Sequence, residues 1–275
     1  LKTFLKNLSA GPLALCAVIL TILARCRYHA SVFLPGGDIM LLPSDSHYYV
    51  RFAQLQLAAW PHFVKQDPFV NFPAVAEIYW PPFHAWIVAG AIAGGKWLGL
   101  APEAAAALVG PIVAALECLL LTLLAWRWLG NRVALILALG YSLLPALVES
   151  GAIGNADHHV HESFVCVLAA LCLGRTLASG SPRAALATGL AIALGRLLST
   201  STFLVGPILA LAVLAAASRA DSKTARIMAG SALIIGVTGA GLLLIGAWLW
   251  GGLTSLDYER LSLFHSMIVL AAFGG

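Results

Sequence analysis

Apolar runs of about twenty residues, long enough to cross a bilayer as helices, recur along this chain with short basic loops between them. They fall at 10–27, 103–126, 133–150, 163–180, 184–198, 200–218 and 227–250. In hydrocarbon a segment must satisfy its own backbone hydrogen bonds, and the helix is the simplest way to do so. The pattern therefore predicts an all-α polytopic membrane protein with about seven or more transmembrane helices, organised as one domain over 1–275. The fifth and sixth runs are short enough to form one tight hairpin through Ser199, Thr200 and Ser201. Composition agrees: 60% of residues are hydrophobic and 10% charged, with a mean hydropathy of +0.91. The five cysteines, Cys16, Cys26, Cys118, Cys166 and Cys172, have neither disulfide-framework nor zinc-finger spacing and read as small core residues. Leu13 to Leu23 has the length of a signal-peptide core, but no small-residue cleavage site follows, so it reads as an uncleaved first helix. The chain begins at Leu1, and a further apolar run from Ile268 to Phe273 is under way at its end, as expected of a piece of a longer protein.

Orientation follows from lysine and arginine, which accumulate in short cytoplasmic loops. The ambiguous segment is Pro82 to Leu100, which opens on Trp-Pro-Pro, contains His84 and ends in Gly-Gly-Lys-Trp. If it lies in the interface as an amphipathic helix, then Lys2, Lys6, Arg127, Arg132, Arg175, Arg183, Arg219, Lys223 and Arg226 all fall inside. If it spans, seven of these nine move outside. Residues 28–102 are therefore expected to form one long outer loop and 151–162 a second, with the N-terminus cytoplasmic in a multi-pass plasma (inner) membrane protein. Arg25 and Arg27, at the outer end of the first helix, are expected to snorkel to lipid phosphates. All eight histidines, and every acid except Asp221 and mid-membrane Glu117, then face the periplasmic or extracellular side. The net charge of +4 lies mostly on the cytoplasmic side, sets orientation, and says nothing of nucleic acid.

Three stretches carry chemistry. Asp157-His158-His159-Val160-His161-Glu162 packs five possible metal-binding groups into six residues. Asp157 and His159, two apart in a loop, can turn toward one ion, and a carboxylate–imidazole shell suits Mn²⁺, Mg²⁺ or Zn²⁺. Glu162 either closes that shell or caps the next span, while His158 and His161 read as supporting or solvated groups. The bland alternative is a polar interfacial loop. Asp-His-His also occurs in soluble phosphoesterases, on an α/β scaffold absent here, and Asp-His-His-Cys marks membrane acyltransferases, but Val160 stands at the fourth position. In the first outer loop, Asp45-Ser-His-Tyr-Tyr-Val-Arg51 opens an amphipathic stretch. Asp45 is suited to a cation and Arg51 to a phosphate or acid, or Asp45 is simply a helix cap. Between them, Asp67-Pro-Phe-Val-Asn-Phe-Pro73 and Glu77-Ile-Tyr-Trp80-Pro-Pro82 either line a lipid-substrate groove or anchor an interfacial loop. Isolated Arg196 is placed to meet a lipid phosphate, and Glu117 to be paired or protonated.

A first-loop acid just after the first helix, a Trp-Pro-Pro helix, and two spans leading to a second acidic motif on the same face resemble the membrane glycosyltransferases of superfamily C. More narrowly, the arrangement resembles the transmembrane part of the oligosaccharyltransferase catalytic subunit. In archaeal members of that family the first-loop acid and an Asp-x-His bind the catalytic divalent metal. The resemblance thus implies metal ligation by Asp45, Asp157 and His159, with Asp45 and Asp157 catalytic and Mn²⁺ or Mg²⁺ as cofactor. Glu162, His158, Arg51, Asp67 and Arg196 would support the site or bind substrate. It further implies a polyprenyl-linked sugar donor arriving from the membrane lipid and an acceptor, an asparagine of a protein or another group. Ala74-Val75-Ala76 stands where that family usually has glycine, and Glu259 is the available counterpart of its further acid. Its Trp-Trp-Asp motif and soluble C-terminal domain are absent from these residues. The competing readings are a transporter or flippase of a lipid-linked or small anionic substrate, and a non-catalytic assembly subunit. Transporters place buried charge at the midplane on repeated, broken helices, whereas here no repeat is evident and the ionisable groups crowd one face.

Overall fold

The computed structural model describes residues 9–274; Lys2 and Lys6, assigned above to the cytoplasm, lie outside them. The chain is an all-α polytopic membrane protein; among the described residues its regular structure is helical apart from one two-residue antiparallel pairing and an isolated bridge. Four helical stretches are long and apolar enough to cross a membrane: Pro102–Leu129, Val160–Ser179, Thr200–Ala217 and Ser222–Trp250. Ala10–Arg25, Asn131–Leu143 and Leu263–Gly274 are apolar but shorter, so the expected seven full-length spans are not reproduced by the described helices. None of the five cysteines is in a disulfide.

The described residues form two compact units, 9–64 with 83–164, and 65–82 with 165–274. In the first, α1 (Ala10–Arg25), α2 (His29–Val32), α3 (Ser44–Ala59) and α4 (Pro82–Trp97) precede α5 (Pro102–Ala107), α6 (Val109–Leu129), α7 (Asn131–Leu143) and α8 (Pro145–Ser150). Helix α1 packs on α6 and α7, and the buried residues of the three helices are mostly small: Ala14, Ala17 and Thr21 of α1, Ala114, Cys118 and Ala125 of α6, and Ala134 and Ala138 of α7. Helices in lipid gain little from burying apolar surface against one another, so small residues that let backbones approach supply the packing. Large side chains point outward instead, among them Leu15, Leu23, Leu116 and Ile136.

The run expected to span at 133–150 is broken. Leu144 is extended (φ −60°, ψ 124°) between α7 and α8, because the ring of Pro145 disfavours helical backbone at the preceding residue. Helix α4 buries His84, Ala85, Val88, Ala89 and Ile92 along one face, a 3–4 spacing that makes the other face outward. Trp97 closes it at 91% exposure. Sixteen residues span about 24 Å, less than the hydrocarbon thickness.

In the second unit, β1 (Gln66–Asp67) pairs with β2 (Ala76–Glu77). Helix α9 (Val160–Ser179) starts in the first unit and continues here, followed by α10 (Pro182–Leu198), a 3₁₀ turn at Thr200–Leu204, α11 (Val205–Ala217), α12 (Ser222–Trp250) and α13 (Leu263–Gly274). Asp221 caps α12 by accepting from the backbone N–H groups of Lys223 and Thr224. The core joins Leu173, Ile192, Leu197, Ile235, Leu243, Val269 and Phe273. The chain does turn at Ser199, but α11 then packs on α13 and α12 instead of closing a simple hairpin along α10.

Candidate metal centre

The loop 151–159 between α8 and α9 is pinned from every side of the first unit. Ile153 N–H donates to Arg25 O (3.0 Å), Gly154 N–H to Ala107 O (2.9 Å), and Leu42 N–H to Gly154 O (2.8 Å). Gly154 adopts φ +84° with Val32 packed where a Cβ would stand, so both the turn and the close approach require glycine. Ala156 N–H donates to Ser46 Oγ (2.9 Å), and Asp157 N–H to Asn155 Oδ1 (3.1 Å). An irregular loop with this many partners is a rigid platform for the side chains it carries.

Asp157, His158 and His159 each offer a ligand atom, all within 4.8 Å of one another. Asp157 Oδ1 accepts from His158 N–H (2.6 Å) and lies 2.6 Å from His158 Nδ1, which also meets the Tyr49 hydroxyl at 3.0 Å. Asp157 Oδ2 lies 3.5 Å from His159 Nε2, and His159 Nδ1 lies 2.8 Å from Glu162 Oε1. A carboxylate accepts, so His159 Nδ1 carries its proton and Nε2 presents its lone pair beside Asp157. Two donors on one divalent ion at about 2.1 Å each stand about 3 to 3.5 Å apart, so this pair fits a shared ion. Burial raises the Asp157 pKa, but the hydrogen bond and charge of His158, with the charge of His159, outweigh it and leave the carboxyl below its ordinary value. The Glu162 hydrogen bond, opposed by burial, raises the His159 pKa, helped by the charges of Asp157, Glu162 and Asp45.

The expected site residues are placed unequally. Asp45 lies exposed in the first turn of α3, accepting from Ser44 Oγ (3.3 Å). The helix N-cap is Pro43 and no side chain caps it, so Asp45 is not the cap. Asp45 is outside the three-residue cluster, yet its charge reaches His159. Arg51 is half-buried on the same helix. Asp67 and Arg196 belong to the other unit. Asp67 is buried and accepts from Phe69 N–H (2.9 Å). Arg196 is buried at 2% exposure, donating to Glu259 O (3.0 Å) and Tyr258 O (3.4 Å).

Arg25 corrects the snorkelling expectation. It is 1% exposed and its guanidinium donates to Tyr141 O (3.1 Å) and Leu147 O (2.9 Å). Tyr141 O is left without its helical donor because Pro145, four residues on, has no N–H, and Leu147 O lies in the last turn of α8, so the arginine turns inward to satisfy both. Arg27 stays outside but pairs with Glu149 and stacks on Tyr28.

Residues with little sequence signal complete the surroundings. His84 of α4, fully buried, places Nε2 2.8 Å from Ala156 O and Nδ1 3.0 Å from His161 Nε2. Burial and the neighbouring His161 lower the His84 pKa to about 3. His161 Nδ1 is 2.6 Å from Glu117 Oε1, and the Tyr141 hydroxyl donates to Glu117 Oε2 (2.6 Å). Mid-span Glu117 was the available clue, since a carboxyl at that depth needs partners.

Fold and site together define a polytopic helical membrane protein with an acid–imidazole cluster on a rigid loop at the start of a spanning helix. No family model matches the chain. It is similar to dolichyl-phosphooligosaccharide-protein glycotransferase 1 of Archaeoglobus fulgidus, 28% identical over 165 residues, covering 58% of this chain and 27% of that protein. Glycotransferase 2 of the same organism is 29% identical over 167 residues, covering 59% and 26%. The chain thus spans about a quarter of the curated relatives it matches. Among solved structures it superposes on the A. fulgidus oligosaccharyltransferase in complex with Zn and sulfate, with a TM-score of 0.79 at 22% identity over 95% of this chain and 34% of that one. The archaeal oligosaccharyltransferase AglB of A. fulgidus, in complex with an inhibitory peptide and a dolichol-phosphate, gives 0.79 at 22% identity, covering 96% and 32%. The resemblance to the transmembrane part of the oligosaccharyltransferase catalytic subunit is thereby borne out, and this chain has the fold of that membrane region.

Proposed function

We propose that this chain is the membrane part of a glycosyltransferase that moves a glycan from a polyprenyl (pyro)phosphate carrier to an acceptor, an asparagine side chain of a protein, at the outer face. The observation that carries the reading is the meeting of Asp157 and His159 in one ion-sized cluster within a chain similar to two protein glycotransferases. Asp157 and His159, with His158 beside them and the charge of Asp45 close by, would hold a divalent cation, Mn²⁺ or Mg²⁺. Bound there, such an ion supplies positive charge against the phosphate leaving group. Glu162 fixes the His159 ring through Nδ1, and the Tyr49 and Asp157 contacts fix His158. Exposed Asp45 accepts a hydrogen bond from the acceptor nucleophile and orients it. Attack opposite the leaving group inverts the anomeric centre.

In this reading residues 28–102 and 151–162 face outside and the N-terminus is cytoplasmic. The test is the natural full-length protein in proteoliposomes with a polyprenyl-linked donor and an asparagine-containing peptide, followed by peptide mass. Gain of a glycan mass on the peptide is expected. Movement of donor across the bilayer with no glycopeptide would contradict transfer and favour a flippase.

A further inference from the structure

Glu117, His161 and His84 come from α6, α9 and α4, and are 6%, 3% and 0% exposed. Their contacts form one unbroken chain: Glu117 Oε1 to His161 Nδ1 (2.6 Å), His161 Nε2 to His84 Nδ1 (3.0 Å), and His84 Nε2 to Ala156 O (2.8 Å). The far end fixes its direction. A backbone carbonyl only accepts, so His84 Nε2 carries a hydrogen. With its other nitrogen facing His161, neutral His84 must accept there, so His161 Nε2 also carries a hydrogen. The last contact then holds one proton between His161 Nδ1 and Glu117 Oε1. Whichever atom bears it, the three side chains sum to zero charge, which suits a site this deeply buried.

We propose that Glu117, His161 and His84 are positioning residues: a neutral hydrogen-bonded chain, one-directional from His161 Nε2 onward, that locks the Ala156 carbonyl and so aims Asp157 and His158. The Ala156 peptide is gripped on both sides, by Ser46 Oγ at its N–H and His84 Nε2 at its carbonyl. Asp157 is the next residue, so a swing of that peptide rotates the carboxylate away from His159. Tyr141 holds the other end by donating to Glu117 Oε2 (2.6 Å), with the Arg25 guanidinium 5.5 Å over its ring. Tyr49 packs edge-on against His84 at 4.6 Å while touching His158, so the same chain steadies the second imidazole of the cluster. The proposal rests on the metal-site reading above. It deepens that reading because groups behind metal ligands govern affinity by orientation.

The decisive comparison is Glu117→Gln with Glu117→Leu in the full-length protein. Glutamine still donates to His161 Nδ1 and accepts from Tyr141, whereas leucine does neither. Mn²⁺ affinity, read by electron paramagnetic resonance of free ion, is expected within about twofold of wild type for Glu117→Gln and about 10- to 100-fold weaker for Glu117→Leu. Both are to be compared at matched helix content. Equal loss in both variants would show that charge and not donor direction is needed, and an unchanged Glu117→Leu would show that the chain positions nothing; either overturns the proposal. Nitrogen-15 histidine spectra of the wild type give an independent arm. His84 must show protonated Nε2 and unprotonated Nδ1, and the reverse tautomer would overturn the donor direction. If wild type binds no Mn²⁺, the metal reading fails and with it the aiming role, while the nitrogen shifts still decide the direction of the chain.

Discussion

At the scale of single residues, polarity within an apolar bundle is explained by partners, and each partner makes a prediction. His159 has one nitrogen committed to Glu162 and the other beside Asp157, so His159→Ala should weaken Mn²⁺ binding by at least the tenfold typical of losing even a supporting group; calorimetric titration checks it. Arg25 Nη2 donates to Tyr141 O and Leu147 O while Nη1 reaches Ser142 O (3.5 Å), three acceptors that a lysine's single ammonium nitrogen cannot serve in that geometry. Arg25→Lys should therefore cost about 1–3 kcal/mol, read as a lowered Tm in detergent. The Asp157–His159 pair was legible in the sequence because its members are two residues apart. His84 and His161 are 77 positions apart and His161 and Glu117 are 44 apart, so their meeting depends on three elements folding together. Arg25 misled for a related reason: its burial answers the Tyr141 carbonyl freed by Pro145 and the Leu147 carbonyl at the end of α8, more than a hundred residues later in the chain.

At the scale of elements, α6 and the metal loop are fitted by one glycine. A Cβ at Gly110 would stand 2.8 Å from Asn155 O, 2.9 Å from Ala152 O and 3.0 Å from Gly151 O. Backbone atoms cannot give way as a flexible side chain can, so Gly110→Ala should cost about 1–3 kcal/mol and reduce ion affinity by shifting the loop, measured by urea unfolding beside Mn²⁺ titration. Unchanged values in both would contradict the close packing. Hydropathy found the apolar segments well, but blurred their interruptions. The run 133–150 reads as continuous because Pro145 is itself surrounded by apolar residues, yet the proline divides it. That residues 82–97 form one helix was legible from the apolar run after Trp-Pro-Pro, while the buried role of His84 on its inner face was not.

At the scale of the molecule, the proposed orientation places the acidic cluster and the first long loop in the outer compartment. His47 on α3 is exposed and Leu129 at the end of α6 is 52% exposed. In a background with all five native cysteines replaced by alanine, a membrane-impermeant maleimide should label His47→Cys in intact cells and label Leu129→Cys only after lysis. The reverse pattern would invert the orientation. All-α class and polytopic character followed from run length and charge, since those are properties each segment carries alone. The central claim is that Asp45 and Asp157 serve one metal-dependent transfer site, and its most direct test is glycan transfer by the full-length protein with Mn²⁺ or with chelator, comparing wild type, Asp45→Ala and Asp157→Ala. Transfer is expected to require the ion and to be lost in both variants at unchanged fold. Transfer indifferent to chelator and to both substitutions would contradict it.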